Sequence, residues 1–303
     1  MRTLLVLLLT LLAGPAAAEL RVSWPPGEVW LQPGESFFVE VLADPGEAVR
    51  LEPERGPAVG LSEGPPGRFS ARVSASGRLI LKQGQSTLAL PPVKTLGPRL
   101  PVARVVRPDA ILRSAPDEGF DRLDPLPAGL CCPITGRQGE WLRLWPDAGW
   151  VNVADVRIGN FPASSPRLSS VRVTEPGDGS AEVRLRLNDL AAWQVESPQE
   201  NRLRLLLPGT PLSMGEVAYA GQPRVVQSIQ LYPGPERTAV ELQLGEPGLW
   251  GYGLRWEAPD LVLELSPPPS LNPDRPLEGV RVVLDPGHGG EDLGAVGVGG
   301  LKE

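Results

Sequence analysis

The sequence predicts a mostly-β, multi-domain protein whose last residues begin an α/β domain. Glycine and proline are both frequent, at 35 and 36 of 303 residues, without a collagen period. That mixture is typical of many short strands joined by turns. Apolar and polar residues alternate over long stretches, as in half-buried strands. A proline-rich stretch then precedes a short, mainly apolar run, so a different kind of domain is predicted after it.

Residues 1–18 have the pattern of a secretory signal peptide. Arg2 precedes an apolar run from Leu4 to Ala13, and small residues then lead to Glu19. A membrane anchor is the alternative, but the apolar run is short for a bilayer, so cleavage before Glu19 is favoured. No later segment is long and apolar enough to cross a membrane. We therefore predict an exported protein of the periplasm or cell envelope.

The charge distribution argues against nucleic acid as a partner. The formal net charge is −7, and no basic stripe is present to neutralise phosphates. The hydrophobic content of 41% is that of a globular protein, so the chain can bury several cores.

Residues 19–97 are predicted to form a small N-terminal β domain. Alternating segments surround Pro-Gly turns, and "KTLGPRLP" follows as a linker. Trp24, Trp30, Phe37 and Phe38 could form a ligand platform, but aromatic residues at strand spacing belong more often to a core. A core role is the favoured interpretation.

Residues 102–158 are predicted to form five or so short strands. Fewer than sixty residues are too few for a sandwich, so a tiny closed barrel is expected. The adjacent Cys131 and Cys132 should point to opposite faces of one strand. An intramolecular disulfide between them would need a strained ring, so one buried and one outward cysteine are predicted.

This segment resembles the bacterial Src-homology-3-like domain. The matching residues are Leu112–Pro116, Gly129, Trp141–Leu144 and Gly149–Val151. The resemblance implies a module of exported, wall-associated proteins that holds peptidoglycan peptides. On that likeness Trp141 and Trp150 are candidates for wall binding, and packing in the domain is the alternative role for both.

Residues 167–266 are predicted to form a second β domain. A hairpin is expected around 176–179, and Leu261, Leu263 and Leu265 should share one face of a final strand. The segment resembles the amidase N-terminal domain, which tethers some cell-wall amidases within the envelope. Residues 267–279 follow as a proline-rich, semi-rigid linker.

The last residues, 280–303, begin with an apolar run typical of a buried parallel strand, Val280 to Leu284. The Asp-Pro-Gly break that follows puts His288, the only histidine, at the carboxyl end of that strand, where open α/β sheets carry their chemistry. The spacing fits neither the dinucleotide-binding nor the P-loop pattern, and no nucleophile elbow is present. A lone histidine is more often structural, but with Glu303 this one suggests a zinc site.

The stretch "VVLDPGHGGEDLGAVGVGGLKE" resembles the opening of zinc-dependent N-acetylmuramoyl-L-alanine amidases. The resemblance implies an α/β zinc-hydrolase domain in which His288 and Glu303 are zinc ligands and Asp285 orients the turn. Leu293 stands where proline is usual in this loop. The expected partner is peptidoglycan, with an envelope protein as a candidate activator. In the complete enzyme, zinc-activated water would cleave the amide between the muramic acid lactyl group and L-alanine.

The family's second histidine ligand and its catalytic glutamate have no counterpart within these residues. Because a catalytic zinc site keeps three protein ligands, the catalytic domain is expected to be truncated and inactive in this chain. An incomplete gene or a premature stop would explain such an end. The alternative is a non-catalytic, exported cell-wall-binding protein.

Overall fold

The structure, a computed structural model, is almost entirely β. It describes residues 20–54, 56–108, 110–146, 148–199, 201–222, 224–246, 248–266, 268, 271–284, 287 and 294. Within that part, the regular elements are 25 strands in several sheets and one three-residue 3-10 helix. The predicted mostly-β, multi-domain fold class is therefore confirmed. The predicted signal peptide, 1–18, lies outside the described residues.

The first β segment contains nine strands. They are β1 Arg21–Trp24, β2 Val29–Leu31, β3 Phe37–Leu42, β4 Val49–Pro53, β5 Val59–Gly60, β6 Ser62–Glu63, β7 Arg68–Val73, β8 Gly77–Gln83 and β9 Ser86–Thr95. One sheet has the order β1-β3-β7-β6, and a second group has the order β2-β9-β8-β4-β5. Buried residues of both sheets form one hydrophobic cluster, which includes Val39, Leu51 and Leu79.

The aromatic residues of this segment do not all join its core. Phe37 is fully buried there, whereas its neighbour Phe38 on the opposite face of β3 is 43% exposed. Trp24 and Trp30 are half-buried. The core interpretation is confirmed for Phe37 and wrong for Phe38, because successive residues of a strand face opposite sides of the sheet.

The second β segment contains seven strands and the 3-10 helix. They are β10 Val102–Val105, β11 Ala110–Arg113, β12 Arg122–Leu126, β13 Cys131–Gln138, β14 Trp141–Leu144, β15 Gly149–Asn152, the helix Val153–Asp155 and β16 Val156–Gly159. The side chain of Asn152 caps the helix by accepting a hydrogen bond from the Ala154 N–H at 2.9 Å. A cluster that includes Leu112, Ile134 and Leu142 forms the core of the segment.

The closed barrel predicted for 102–158 is wrong, because the sheet stays open. Strand β13 pairs with β14 through Ile134–Gln138, and its other edge is divided between two strands. Residues 131–133 of that edge pair with β10, and Arg137 and Gln138 pair with β2 of the first segment. The pairing therefore continues into the first segment as one 12-stranded sheet.

The third β segment contains nine strands. They are β17 Leu168–Thr174, β18 Ala181–Leu187, β19 Gln194–Gln199, β20 Arg202–Pro208, β21 Leu212–Ala220, β22 Val226–Pro233, β23 Arg237–Leu244, β24 Gly251–Glu257 and β25 Asp260–Ser266. Sheets of order β21-β17-β18-β25-β24 and β19-β20-β23-β22 bury one shared core.

Two predictions for this segment are confirmed. Strands β17 and β18 pair as an antiparallel hairpin around 175–180. Leu261, Leu263 and Leu265 are all buried on one face of β25, while Glu264 between them is exposed.

The apolar run Val280–Leu284 is not a strand in this structure. All five residues are described, none is in a strand, and Val283 and Leu284 are 81% and 84% exposed. The reason is that no described strand lies beside the run to accept its backbone hydrogen bonds and cover its apolar side chains. In the described residues, no helix combines the length and the apolar character that crossing a membrane requires.

Candidate functional site

The three residues predicted for the zinc site, Asp285, His288 and Glu303, lie outside the described residues. Within the described ranges, no group of three or more histidine, cysteine, aspartate or glutamate side chains could hold a metal ion. Imidazole and carboxylate are suitable zinc donors, but two protein ligands fall short of the three in a catalytic site. The residue types predicted for the site therefore suit zinc, and a catalytic zinc would need a third protein ligand besides them.

The two tryptophans predicted as wall-binding candidates differ in exposure. Trp141 on β14 is only 9% exposed, which leaves little of its ring surface for a ligand. Trp150 on β15 is half-buried, and the guanidinium carbon of Arg143 lies 5.8 Å from its ring centroid. Of the two, Trp150 therefore offers the larger surface.

Trp150 lines a cavity between the first and second β segments, which we call the junction cleft. Its volume is about 360 Å³. Six side chains in its lining carry a charge, an amide or an aromatic ring that could contact a ligand: Trp30, Glu35, Arg72, Gln138, Arg143 and Trp150. The cleft exists because β2 pairs with β13, which brings residues more than a hundred positions apart in sequence onto one surface.

Arg143 is held firmly in the wall of the junction cleft. Its Nη2 atom donates to both carboxylate oxygens of Glu35, at 2.7 and 2.8 Å, and to the Thr135 carbonyl at 2.8 Å. Its Nε atom donates to the Thr135 hydroxyl at 3.1 Å. A Cβ on Gly136 would lie 3.2 Å from the guanidinium, so the glycine leaves room for this arginine. The positive charge of Arg143 is consequently neutralised within the protein.

Trp30 forms a second aromatic surface at the junction. The Lys94 Nζ atom lies 4.6 Å from its ring centroid, and the Arg137 guanidinium carbon lies 5.3 Å from it. Arg137 also pairs with Glu28 and donates from Nε to the Gly139 carbonyl at 2.7 Å. Cations over a tryptophan face stabilise its orientation, so both partners fix this ring.

Two cations near the cleft have no carboxylate partner in the described part of the chain. Arg72 is exposed, and its guanidinium donates a hydrogen bond to the Ser36 hydroxyl at 3.4 Å. Lys94 is exposed, and its ammonium group lies over the Trp30 ring. Arg137 and Arg143, by contrast, are each paired with a glutamate. The surroundings of the junction cleft are therefore cationic in a chain whose net charge is −7.

A second cavity, of about 580 Å³, lies between the second and third β segments. Pro146 forms one side, and Arg204, Tyr232 and Arg237 of the third segment form the other. Tyr232 is 44% exposed, with the Arg204 guanidinium carbon 5.8 Å from its ring. Arg204 is already paired with Glu196 at 3.1 Å. This cavity contains neither of the predicted tryptophans.

The cysteine prediction is confirmed. Cys132 is buried and Cys131 is half-buried, and both are free thiols. Burial, with a smaller contribution from Cys131, raises the pKa of Cys132 to about 12. Cys132 is therefore protonated at neutral pH and behaves as a core residue.

Sequence reasoning missed Glu35, Arg72 and Arg143 as residues of a candidate site. Arg143 lies within the Trp141–Leu144 stretch of the resemblance, but no motif predicts that it lies beside Glu35, because their proximity depends on the pairing of β2 with β13. Comparison of the chain with models of known protein families gives no match, and no curated protein matches it.

Proposed function

We propose that this chain is the front part of an exported N-acetylmuramoyl-L-alanine amidase. The observation that carries the proposal is the dense Asp-Pro-Gly-His-Gly-Gly turn followed by Leu-Lys-Glu, within Val282–Glu303. The preceding β segments would hold the enzyme on peptidoglycan. The substrate bond is the amide between the muramic acid lactyl group and L-alanine of the stem peptide.

In this proposal His288 and Glu303 each supply one ligand to zinc, and Asp285 orients the turn that carries His288. When bound, zinc supplies polarisation of the amide carbonyl and activation of water. The further histidine ligand and the glutamate general base are expected beyond residue 303. The chain as printed should accordingly hydrolyse no amide.

Two cavities on the surface of the described β segments support a role in binding the cell wall. The junction cleft combines two tryptophans with the guanidinium of Arg72, which has no carboxylate partner among the described residues, and the cavity beside Tyr232 combines an aromatic ring with arginines. Pockets with aromatic walls and a few fixed polar groups are typical small-ligand sites. Fragments of peptidoglycan, with sugars, methyl groups and carboxylates, suit such surfaces.

The nucleotide sequence downstream of codon 303 tests the enzyme proposal. We expect a reading frame, continuous or restored by one frameshift, that encodes another histidine and a late glutamate. A stop codon followed by unrelated sequence would instead favour a non-catalytic wall-binding protein. That second candidate is supported by the two cavities, which need no zinc site to bind a ligand.

Sedimentation with purified sacculi tests the wall-binding role shared by both candidates. The purified chain should pellet with sacculi in the presence of a chelator, because the β segments require no metal. Failure to pellet at both low and moderate salt would reduce these segments to spacers or protein-docking modules.

A further inference from the structure

We propose that strand β22, Val226–Pro233, is an interface at which two copies of this chain pair edge to edge. The two strands would run antiparallel about a two-fold axis. The sheet β19-β20-β23-β22 of one copy would then continue into the same sheet of the other. Such pairing requires neither zinc nor a cell-wall ligand, so it goes beyond the proposed function.

One edge of β22 is free in the described part of the chain. The strand is the last of its sheet and pairs with β23 alone, over Val226–Pro233. The described strands, turns and loops provide no hydrogen bond to its outer edge. A row of unpaired backbone N–H and C=O groups is a template for a further strand. The outer edge of β22 therefore suits an extended chain.

The free edge of β22 lacks the protection that the other edges have. Natural sheets commonly place charged side chains on edge strands, because a charge opposes pairing with another chain. Among the described edge strands longer than two residues, β22 alone has no charged side chain. The others carry Arg21 on β1, Arg122 on β12, Arg157 on β16, Glu196 on β19, Glu216 on β21 and Arg255 on β24. A partner strand at β22 consequently has no charge on that strand to desolvate.

The position of β22 is fixed before any partner binds. The Glu175 carboxylate accepts hydrogen bonds from the backbone N–H groups of Arg224, Val225 and Val226, each at 2.9 Å. Further along the strand, Ile229 and Leu231 pack against the core of the third segment. A partner therefore meets a preorganised edge and does not have to order it, which favours association.

The sequence of β22 is complementary to itself, which favours a second copy over an unrelated peptide. With Gln230 opposite its counterpart, Ile229 of each copy lies opposite Leu231 of the other on the core side. On the outer side, Ser228 lies opposite Tyr232, whose side chain is 44% exposed in one copy alone. The two Gln230 amides can hydrogen-bond to each other, since each has a donor and an acceptor. Apolar residues thus face apolar residues, and no like charges meet on the paired strands.

Pairing through β22 would also bring two cavities together. Tyr232 belongs to β22 and lines the cavity of about 580 Å³, so the cavities of the two copies would flank the shared pair of strands. Under the proposed function, two such cavities would bind a repeating wall polymer more tightly than one, because the second contact becomes intramolecular.

Sedimentation equilibrium of the purified chain tests the proposal. A single pair of edge strands forms a small interface, so we expect a reversible dimer with a dissociation constant of about 10 µM. Gln230→Glu places two carboxylates opposite each other, and Glu241 of β23 already lies beside each of them. That variant should dimerise at least about tenfold more weakly, because like charges directly opposite destabilise strand pairing.

Gln199→Glu is the matched control, since Gln199 is an exposed glutamine on β19, the opposite edge of the same sheet. It should dimerise as the unmodified chain does. An equimolar mixture of Gln230→Glu and Gln230→Lys should associate more tightly than Gln230→Glu alone, because a carboxylate then faces an ammonium group. Circular dichroism of each variant reports its folding. A monomeric unmodified chain, equal dimerisation of Gln230→Glu and Gln199→Glu, or a mixture that associates no better than Gln230→Glu would each overturn the proposal.

Discussion

Asp124 is a carboxylate placed between the second and third β segments. It is half-buried, and one oxygen accepts a hydrogen bond from the backbone N–H of Val195 at 2.7 Å. Burial raises the pKa of Asp124, while the hydrogen bond from Val195 acts in the opposite direction. The carboxylate thus accepts a hydrogen bond from a backbone N–H at the start of β19, while its partial burial disfavours the ionised form.

Substitution of Asp124 should separate these two effects. Asp124→Ala removes the acceptor of the Val195 N–H and should lower the free energy of unfolding by about 1 kcal/mol. Asp124→Asn keeps an acceptor oxygen without the charge, so its stability at pH 7 should equal or exceed that of the unmodified chain. Denaturant unfolding of both variants measures the difference. An asparagine variant as unstable as the alanine variant would contradict this account.

The pH dependence of Asp124 has a definite sign. Because the folded-state pKa is raised above the unfolded value, the folded state binds the proton more tightly. As the pH falls from 7 through the raised pKa towards 3.8, the unmodified chain should gain stability relative to Asp124→Asn. Unfolding curves of the two proteins across that window measure the gain. A relative loss of stability would show that the carboxylate is stabilised in its ionised form.

Residue-level predictions succeed where a strand period alone decides the outcome. Cys131 and Cys132 occupy opposite faces of β13 because side chains alternate along any strand. The same two-residue period correctly predicts that Leu261, Leu263 and Leu265 of β25 are buried on one face. Arg72 and Glu35 could not be found in this way, since their role depends on which distant strands become neighbours.

At the scale of elements, the short strand β2 determines how the first two segments are joined. Val29 and Leu31 are buried in the core of the first segment, while Trp30 between them packs against the core of the second. Both edges of β2 are paired, with β9 and with β13. The three residues of β2 therefore contact the cores of both segments, and their backbone joins the strands of both segments into one sheet.

A double-mutant cycle on Glu35 and Arg143 tests this junction. Glu35→Gln, Arg143→Met and the double variant should yield a coupling energy of about 1 kcal/mol, because both side chains are less than one-third exposed. The pair Arg68–Glu40 is the control. It lies within the first segment, its arginine side chain is 51% exposed, and its coupling should be smaller. Equal coupling in the two pairs would mean that Arg143 and Glu35 do not stabilise the junction.

Element-level prediction from sequence identifies strands better than it identifies their partners. Alternation correctly indicated the hairpin of β17 and β18 and the final strand β25. The small size of 102–158 and its several short strands predicted a closed barrel, whereas β13 pairs with a strand from another segment. Local sequence carries little information on such long-range pairing. The run Val280–Leu284 likewise has the composition of a buried strand but lacks a described neighbour to pair with.

At the scale of the whole molecule, zinc affinity should follow from the number of ligands. His288 is the only histidine, so under the proposed assignment these residues supply one imidazole and the carboxylate of Glu303 to zinc. Two protein ligands should bind zinc weakly. Calorimetric titration of the 303-residue chain with zinc, with His288→Ala as control, measures this affinity. Tight one-to-one binding that is lost in the control would mean that a third ligand exists within these residues.

The candidate zinc site is known only from sequence, and its assignment comes from resemblance to the amidases. Strand periodicity and turn chemistry place His288 after an apolar run, but they do not select zinc over other roles. The junction cleft, by contrast, is seen only in the folded structure, because it is formed by contacts between distant segments that no sequence motif predicts.

Amide hydrolysis by the complete gene product tests the central proposal most directly. The protein encoded by the reading frame continued beyond codon 303 should be incubated with purified sacculi, and newly exposed amino groups on L-alanine should be quantified. We predict their release by the unmodified protein, and its loss both in the His288→Ala variant and after removal of zinc by a chelator. Sacculi left without new L-alanine amino groups by the folded, zinc-loaded protein would contradict the assignment as an amidase.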